Sequence, residues 1–503
     1  MEIEKCIYRI SGLILLFLFV TACEKDDPDQ PEDDLRLIVP DRFQTIQAAI
    51  DASFNGDTII VMPGVYPENI DFKGKNIILQ SSAPENADSV ALTIIDGGGN
   101  GPVVKFENGE SKDAILYGFT IRNGDVGRTV NGGGIRITNG SSPIIKSNII
   151  KLNSASYGAG ILVSNESEPT ILMNTITENT AIGSRGAGIY VINQSHAIIK
   201  DNVFSNHEDV DGVIHIGGSN AGHKSSAIIT GNIIDNNSTT FGTGGIKVTV
   251  ESEAVIEGNT ITNNHGVGDN SPGAILINHN SVAEIINNDI TGNSGSSSGA
   301  ILIYRESNAT ITGNTISENS AGNQEGSKGS GGGIMLSYHG SATITDNVIS
   351  NNEAWSATHG GGGIAVYSWG QETHAVIDNN EITSNKANRR GGGIYITGTQ
   401  TTALIKDNDI SDNTAGNHNQ AAGGAMYFGD IQESIIHDNV ISNNHSNWRG
   451  GGIYFHRNAV VKDAQGNDWP AINYPPTDEP YNTYSNNTHV DDVHMGSNVF
   501  FED

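Results

Sequence analysis

Cysteine is nearly absent: Cys6 and Cys23 are the two in a chain of 503 residues, and both lie close to its start. No disulfide can staple the body of the protein. Its stability must come from buried apolar surface, which a chain of this length can supply. Cations are scarce as well. Lys and Arg number 27 against 57 Asp and Glu, a formal net charge of −30, which argues against nucleic acid and against a broad polyanion-binding surface. Solvated acidic turns account for most of the excess. Long apolar runs are missing with one exception, Ile10 to Val20, and that run falls short of the ~20 residues of a membrane-spanning helix.

What the chain has in quantity is one repeated phrase. Residues 331–352 read GGGIMLSYHGSATITDNVISNN, residues 158–179 read GAGILVSNESEPTILMNTITEN, and residues 391–413 read GGGIYITGTQTTALIKDNDISDN. The first Asn of an N-x-I-x-x-N phrase recurs at Asn148, Asn174, Asn202, Asn232, Asn259, Asn288, Asn314, Asn347, Asn380, Asn408 and Asn439, with Gly118 in the same place one copy earlier. The mean spacing of about 29 residues lies in the range of stacked arrays. Each copy holds three short apolar pieces, G-I-x-V, A-x-I and x-I-x, which alternate with period two and are β-branched. Each copy therefore reads as three strands and three turns. Such a unit cannot bury its apolar face alone and must stack on the next copy, strand on parallel strand, about 4.8 Å apart.

The Asn column has a physical reason. Asn accepts left-handed backbone at a tight bend, and stacked Asn side chains can bond to one another along the stack. A second Asn follows five residues later in ten of the eleven copies, and His207 stands there in the remaining one. The Gly runs ahead of each G-I-x-V piece read as permissive backbone where a variable loop rejoins the sheet.

These features resemble the right-handed parallel β-helix of the pectin-lyase-like superfamily, over residues 37–459. The expected fold is all-β, a single solenoid of three-strand coils with an Asn ladder. A second stretch carries the same resemblance. Residues 45–81, TIQAAIDASFNGDTIIVMPGVYPENIDFKGKNIILQS, resemble the start of many pectinesterase-like and other β-helix proteins. Thr45 is a candidate N-cap, and Ile46, Ala49, Ile50 and Ser53 share one helical face. An amphipathic helix there would cover the open end of the solenoid, with TIIVM opening the first strand.

Ahead of the repeats, residues 1–22 read as a targeting segment, with Lys5 and Arg9 before the apolar run. Val20-Thr21-Ala22-Cys23 resembles a bacterial lipobox, which implies lipidation of Cys23. An ordinary signal peptide with a cysteine at the junction is the alternative. Residues 23–36 form an acidic flexible tether. Its Lys25-Asp26-Asp27 resembles the tag that carries certain Gram-negative lipoproteins outward, so the expected location is the outer membrane, exposed at the cell surface. Residues 460–503 read as a C-terminal cap, with Trp469, Val499, Phe500 and Phe501 folding over the last rung, or as a tail.

Function in such a solenoid must come from outward side chains and loops. Two sets of loops vary in length and flank the G-I-x-V strand, whose outer face is the expected floor of a polysaccharide-binding groove. The outward residue x is Arg136, Leu162, Tyr190, His215, Lys247, Leu276, Leu302, Met335, Ala365, Tyr395, Tyr427 and Tyr454 in successive copies. Tyr190, His215 and Lys247 fall on consecutive rungs and are groups that can move a proton near neutral pH. They are the candidate catalytic set of a polysaccharide lyase: Lys247 or His215 as base, Tyr190 as acid, Arg136 or Arg185 as the clamp on a uronate carboxylate. Glu208, Asp209 and Asp211 could add a Ca²⁺ site, and an acidic pair could instead serve a glycoside hydrolase. Tyr395, Tyr427 and Tyr454, with Tyr367 in the next outward column and Trp369 and Trp448 in flanking loops, suit stacking of sugar rings. Arg389, Arg390 and Arg449 stand ready for acidic substituents. A tyrosine ladder that merely stabilises the sheet is the alternative. Met335 reads as inert. The competing function is a non-catalytic glycan-binding or adhesive surface solenoid, since GGGI and I-x-x-N pairings also resemble repeats of outer-membrane adhesins.

Overall fold

A computed structural model describes residues 37–127, 131–208, 211–218, 222–322, 329–416, 421–463, 482–489 and 499–501. The targeting segment, the tether with Cys23, Asp209 and Trp469 lie outside the described residues.

The solenoid opens one strand earlier than the sequence suggests. Strand β1 (Leu37–Val39) pairs in parallel with β2 (Thr58–Val61), so Thr58-Ile59-Ile60-Val61 is the second strand rather than the first. Helix α1 (Ile46–Ala52) crosses between them. Thr45 caps it, its side chain accepting from the Ala48 N–H at 3.1 Å, and Ile46, Ala49, Ile50 and Ser53 are all buried as the helical face requires. A second short helix, Ala87–Leu92, is capped in the same way by Asn86.

One coil shows the plan of the rest. Ile334–Ser337 and Ser341–Thr345 lie in one sheet, Val348–Ser350 in a second, and Glu353–Ala354 forms a fourth, two-residue strand that the three-strand expectation omits. The described strands pair in parallel and largely stack like on like. Ile301 faces Ile334, which faces Ile364, then Ile394, while Ala309, Ala342, Ala375 and Ala403 make a second column. The result is one continuous apolar core of Ile, Val, Ala and Phe.

The Asn ladder is present and its mechanism is specific. Asn347 Nδ2 donates to Asn380 Oδ1 at 3.0 Å and to the Ile311 carbonyl at 2.8 Å, while the same Asn380 oxygen accepts the Asn347 backbone N–H. Repeated from coil to coil, this satisfies amides that are buried. The left-handed residue, however, is not the ladder Asn. It is the residue before it: Ser147, Met173 and Asp346 ahead of the first Asn, Leu152, Glu178 and Asn351 ahead of the second, all with φ between 52° and 58°. The Asn column therefore answers to hydrogen bonding, and its neighbour absorbs the bend.

His207 sits in the second ladder and serves both sides of it. Its Nε2 faces Asn179 Nδ2 at 3.4 Å and its Nδ1 faces Asn237 Oδ1 at 2.9 Å, which requires a neutral ring protonated on Nδ1. Burial pushes its pKa down to about 4.

The last described coil lies inside the stretch read as a cap. Asn482 and Asn487 extend the two ladders, accepting from Asn439 and Asn444 at 2.9 and 3.0 Å, and Val499–Phe501 pairs with Ile453–Phe455. Among the described residues, no helix is long and apolar enough to cross a membrane.

Candidate functional site

The outward column of the G-I-x-V strands is, over most of its length, a second buried layer rather than an open floor. Leu162, Tyr190, His215, Leu276, Leu302, Met335, Ala365, Tyr395, Tyr427 and Tyr454 are all buried. The Gly runs supply the reason. Gly186 adopts φ +58° and crosses so close over Tyr190 that a Cβ on it would stand 2.8 Å from the Tyr190 Cβ, and Gly331 approaches Met335 in the same manner at 2.9 Å. Glycine is needed there twice over, for the left-handed bend and for the close passage. The chain folds back over the outward side chain and closes it in.

This overturns the open-groove setting expected for Tyr190, His215 and Lys247. The three do stand in register on neighbouring strands. Tyr190 and His215 meet edge to face at 5.0 Å, and each is only 2% exposed. His215 Nδ1 donates to the Asp211 carbonyl at 2.9 Å, and burial, reinforced by Lys247, pushes its pKa down to about 3. Burial also raises the pKa of Tyr190. Lys247 is held by Asp211, Nζ to Oδ2 at 2.5 Å. A base needs a path to its substrate, and His215 as it stands has none.

The Ca²⁺ expectation loses its ligands for a related reason. Asp211 is committed to Lys247, Glu208 is exposed, Asp209 lies outside the described residues, and among the described residues no group of three or more His, Cys, Asp or Glu gathers around one point. Of the proposed carboxylate clamps, one is ion-paired and the other stacked on a ring. Arg136 pairs with Glu107, and Arg185 lies over the Tyr157 ring at 5.5 Å.

Tyr395, Tyr427 and Tyr454 form a closed stack. Ring centroids are 5.4 and 5.0 Å apart, and Phe500 continues the stack at 5.2 Å, so no face is left for a sugar. Their role is the stabilising ladder, with Trp448 packed against it.

Among the described residues, part of this face is open. Between Asn293 and Ile301 the loop takes seven residues, whereas the coils before and after take ten (Asn264 to Ile275) and fourteen (Asn319 to Ile334). The short loop between long ones leaves a cleft of about 720 Å³. Met335 and Tyr304 form its floor, and Tyr338, Tyr367, Trp355 and Trp369 rise around them. Tyr304 and Tyr338 meet edge to face at 5.0 Å, and His359 stacks on Tyr367 at 5.1 Å, so these rings are held in place. Trp369 rides a loop lengthened after the Ile364–Tyr367 strand and is 63% exposed. The rest of the lining is hydroxyl-rich: Ser294, Ser296, Ser297 and Ser320, with His265, Asp269 and Asn270. Among the described lining residues there is no Lys or Arg.

Of the expected binding residues, the cleft contains Tyr367, and of the flanking aromatics it contains Trp369. Tyr304, Tyr338 and Trp355 were missed, and Met335 is floor rather than inert. The contrast in loop length around Asn293 was the signal that could have found them.

The chain matches the family model described as right handed beta helix region over residues 90–270 and 212–415. No curated protein matches it. Among solved structures, the Streptococcus pneumoniae surface adhesin PfbA is similar at 14% identity and a TM-score of 0.34, over 85% of this chain and 90% of that one. The Siphovirus 9NA tailspike receptor binding domain is similar at 11% identity and a TM-score of 0.25, over 92% of this chain and 78% of that one. Neither is near enough to bear on what this chain binds. The matched residues span well over half of the sequence, and the chain belongs to the right-handed β-helix family.

Proposed function

We propose that the protein binds a polysaccharide in the cleft between Tyr304 and Trp369 and works as a non-catalytic glycan-binding solenoid at the cell surface. The observation that carries this reading is the meeting of Tyr and Trp rings with serine hydroxyls around one cleft. Sugar rings offer C–H faces that stack on Trp and Tyr and hydroxyls that exchange hydrogen bonds with Ser and Asn. The cleft is of the size of ordinary ligand sites, roughly 300–1,000 Å³. Affinity electrophoresis of the mature protein in gels cast with different polysaccharides tests it. Retardation by at least one polymer, weakened by Trp369→Ala, supports the reading, and an unretarded wild type across the panel sinks it.

A second reading, a polysaccharide lyase or glycoside hydrolase, draws on His265 and Asp269, titratable groups lining the cleft. Release of reducing ends, or of unsaturated sugars absorbing in the ultraviolet, would favour it. The Tyr190, His215 and Lys247 set contributes little to that reading because of its burial. Export as an outer-membrane lipoprotein belongs to the same proposal and rests on the lipobox-like sequence at Cys23. Cys23→Ser is expected to release the protein from the membrane fraction, and continued sedimentation with membranes would count against the anchor.

A further inference from the structure

The aromatic cleft does not end at Trp355 and Tyr367. His359 stacks on Tyr367 at 5.1 Å and stands edge-on to Tyr395 at 6.1 Å, which carries the surface into the next coils. There the loops ahead of the Gly runs hold arginines. Arg390 bridges in parallel to Gly360 on one side and to Ala422 on the other, and Ala422 bridges to Arg449. The two arginines therefore stand two rungs apart, about 10 Å. Arg390 lies over the Tyr427 ring at 5.0 Å, and Arg449 lies over Trp448 at 4.0 Å and Phe500 at 4.6 Å. Stacking fixes both side chains without neutralising them.

That matters in a chain of net charge −30. Among the described residues, the ion pairs of this region go to Lys386, Lys406, His437, His456 and Lys462, and none involves Arg390 or Arg449. His359 is held below the usual imidazole range by burial and then by Arg390 and Arg389. Among the described residues the pre-oriented, half-buried guanidinium groups of Arg390 and Arg449 have no carboxylate partner, and such groups are suited to planar anions.

We infer that Arg390 and Arg449 bind anionic substituents, carboxylate or sulfate, of the same polysaccharide chain that enters the aromatic cleft. The ligand is then an acidic glycan whose charged groups lie beyond the stacked sugars, on the C-terminal side. This rests on the glycan-binding reading of the cleft and adds the ligand's charge and its direction. A nucleic acid would use the arginines but has no need of the hydroxyl-lined cleft, and the overall charge opposes it.

The test compares matched polymers in affinity gels: polygalacturonate against its fully methyl-esterified form, and dextran sulfate against dextran. The wild type is expected to bind one acidic member about ten-fold more tightly than its neutral partner. The Arg390→Gln/Arg449→Gln variant is expected to lose that preference while keeping neutral binding, and Arg390→Lys/Arg449→Lys to retain much of it. Trp369→Ala should weaken acidic and neutral members alike, so failure of the cleft and failure of the arginine strip read differently. Should the double Gln variant melt early, Arg449→Gln alone serves, with half of the loss expected on a logarithmic scale. A wild type indifferent to charge, a Gln variant with the wild-type preference, or duplex DNA held as tightly as the acidic polysaccharide would each overturn the inference.

Discussion

The outer face of the G-I-x-V strands carries aromatic rings in two regions and treats them in opposite ways. Around Tyr395, Tyr427 and Tyr454 the rings stack on one another, and each is at most 4% exposed. Around Tyr304, Tyr367 and Trp369 they surround open space. Residue type does not distinguish the regions. The loops around them differ: twelve residues separate Asn413 from Met426, with eight in the coils on either side, whereas the cleft has its shortest passage in the middle.

The comparison can be pressed hardest at Tyr427. It is stacked on both sides with Arg390 above it, so Tyr427→Ala is expected to destabilise by about 3–5 kcal/mol in denaturant unfolding. Binding of neutral glycans at the cleft should be unchanged under folding conditions, while the preference for acidic polymers, which depends on Arg390 seated on this ring, should weaken. A loss below about 1 kcal/mol would mean that the stack is not the closed layer described.

Acid should act on the buried histidines. His207 and His215 titrate lower in the folded chain than the ordinary 6.5, at about 4 and about 3. The unfolded chain therefore takes up protons first, and stability falls as pH drops from about 6.5 toward those values. For His207 alone the fall is about 3 kcal/mol by pH 4. His207→Asn, which restores the regular ladder residue, should flatten this dependence, measured as unfolding midpoints between pH 7 and pH 4. An unchanged slope would remove His207 as its source.

The smallest effect is expected at Trp369. With most of the side chain in solvent, Trp369→Ala should change stability by no more than about 0.5 kcal/mol. It should weaken glycan binding by about 1–2 kcal/mol, a factor of roughly 5–30. Loss of stability without loss of binding would reverse the roles of the two regions.

The repeat made the solenoid legible because each coil restates the same constraint. Ile, Ala and Asn columns recur at a spacing that a single parallel stack explains, and the register follows. Three things escaped. Leu37-Ile38-Val39 is too short to announce a strand without its partner Thr58–Val61. The pair Asn482 and Asn487 follows Asn439 and Asn444 by 43 residues, beyond the spacing of the other copies. Burial of the outward column was hidden because period-two alternation fixes which way Tyr190 or His215 points and says nothing of what folds over it. The Gly186 passage above Tyr190 is a tertiary fact written in a glycine that also suits a simple bend. Loop lengths were readable throughout, and the dip after Asn293 was their most informative value.

Like-on-like stacking also makes the coil a unit of inheritance. Asn314 and Asn347 occupy equivalent places, so duplicating or losing the chain between them would return the ladder, the Ile column and the left-handed bend to matching partners. The core would register only a change in length of about 4.8 Å. The cleft would not survive so easily, because its walls come from successive coils of unlike loop length. A lineage of such proteins can therefore grow or shrink its rod almost freely, while each such event redraws the cleft.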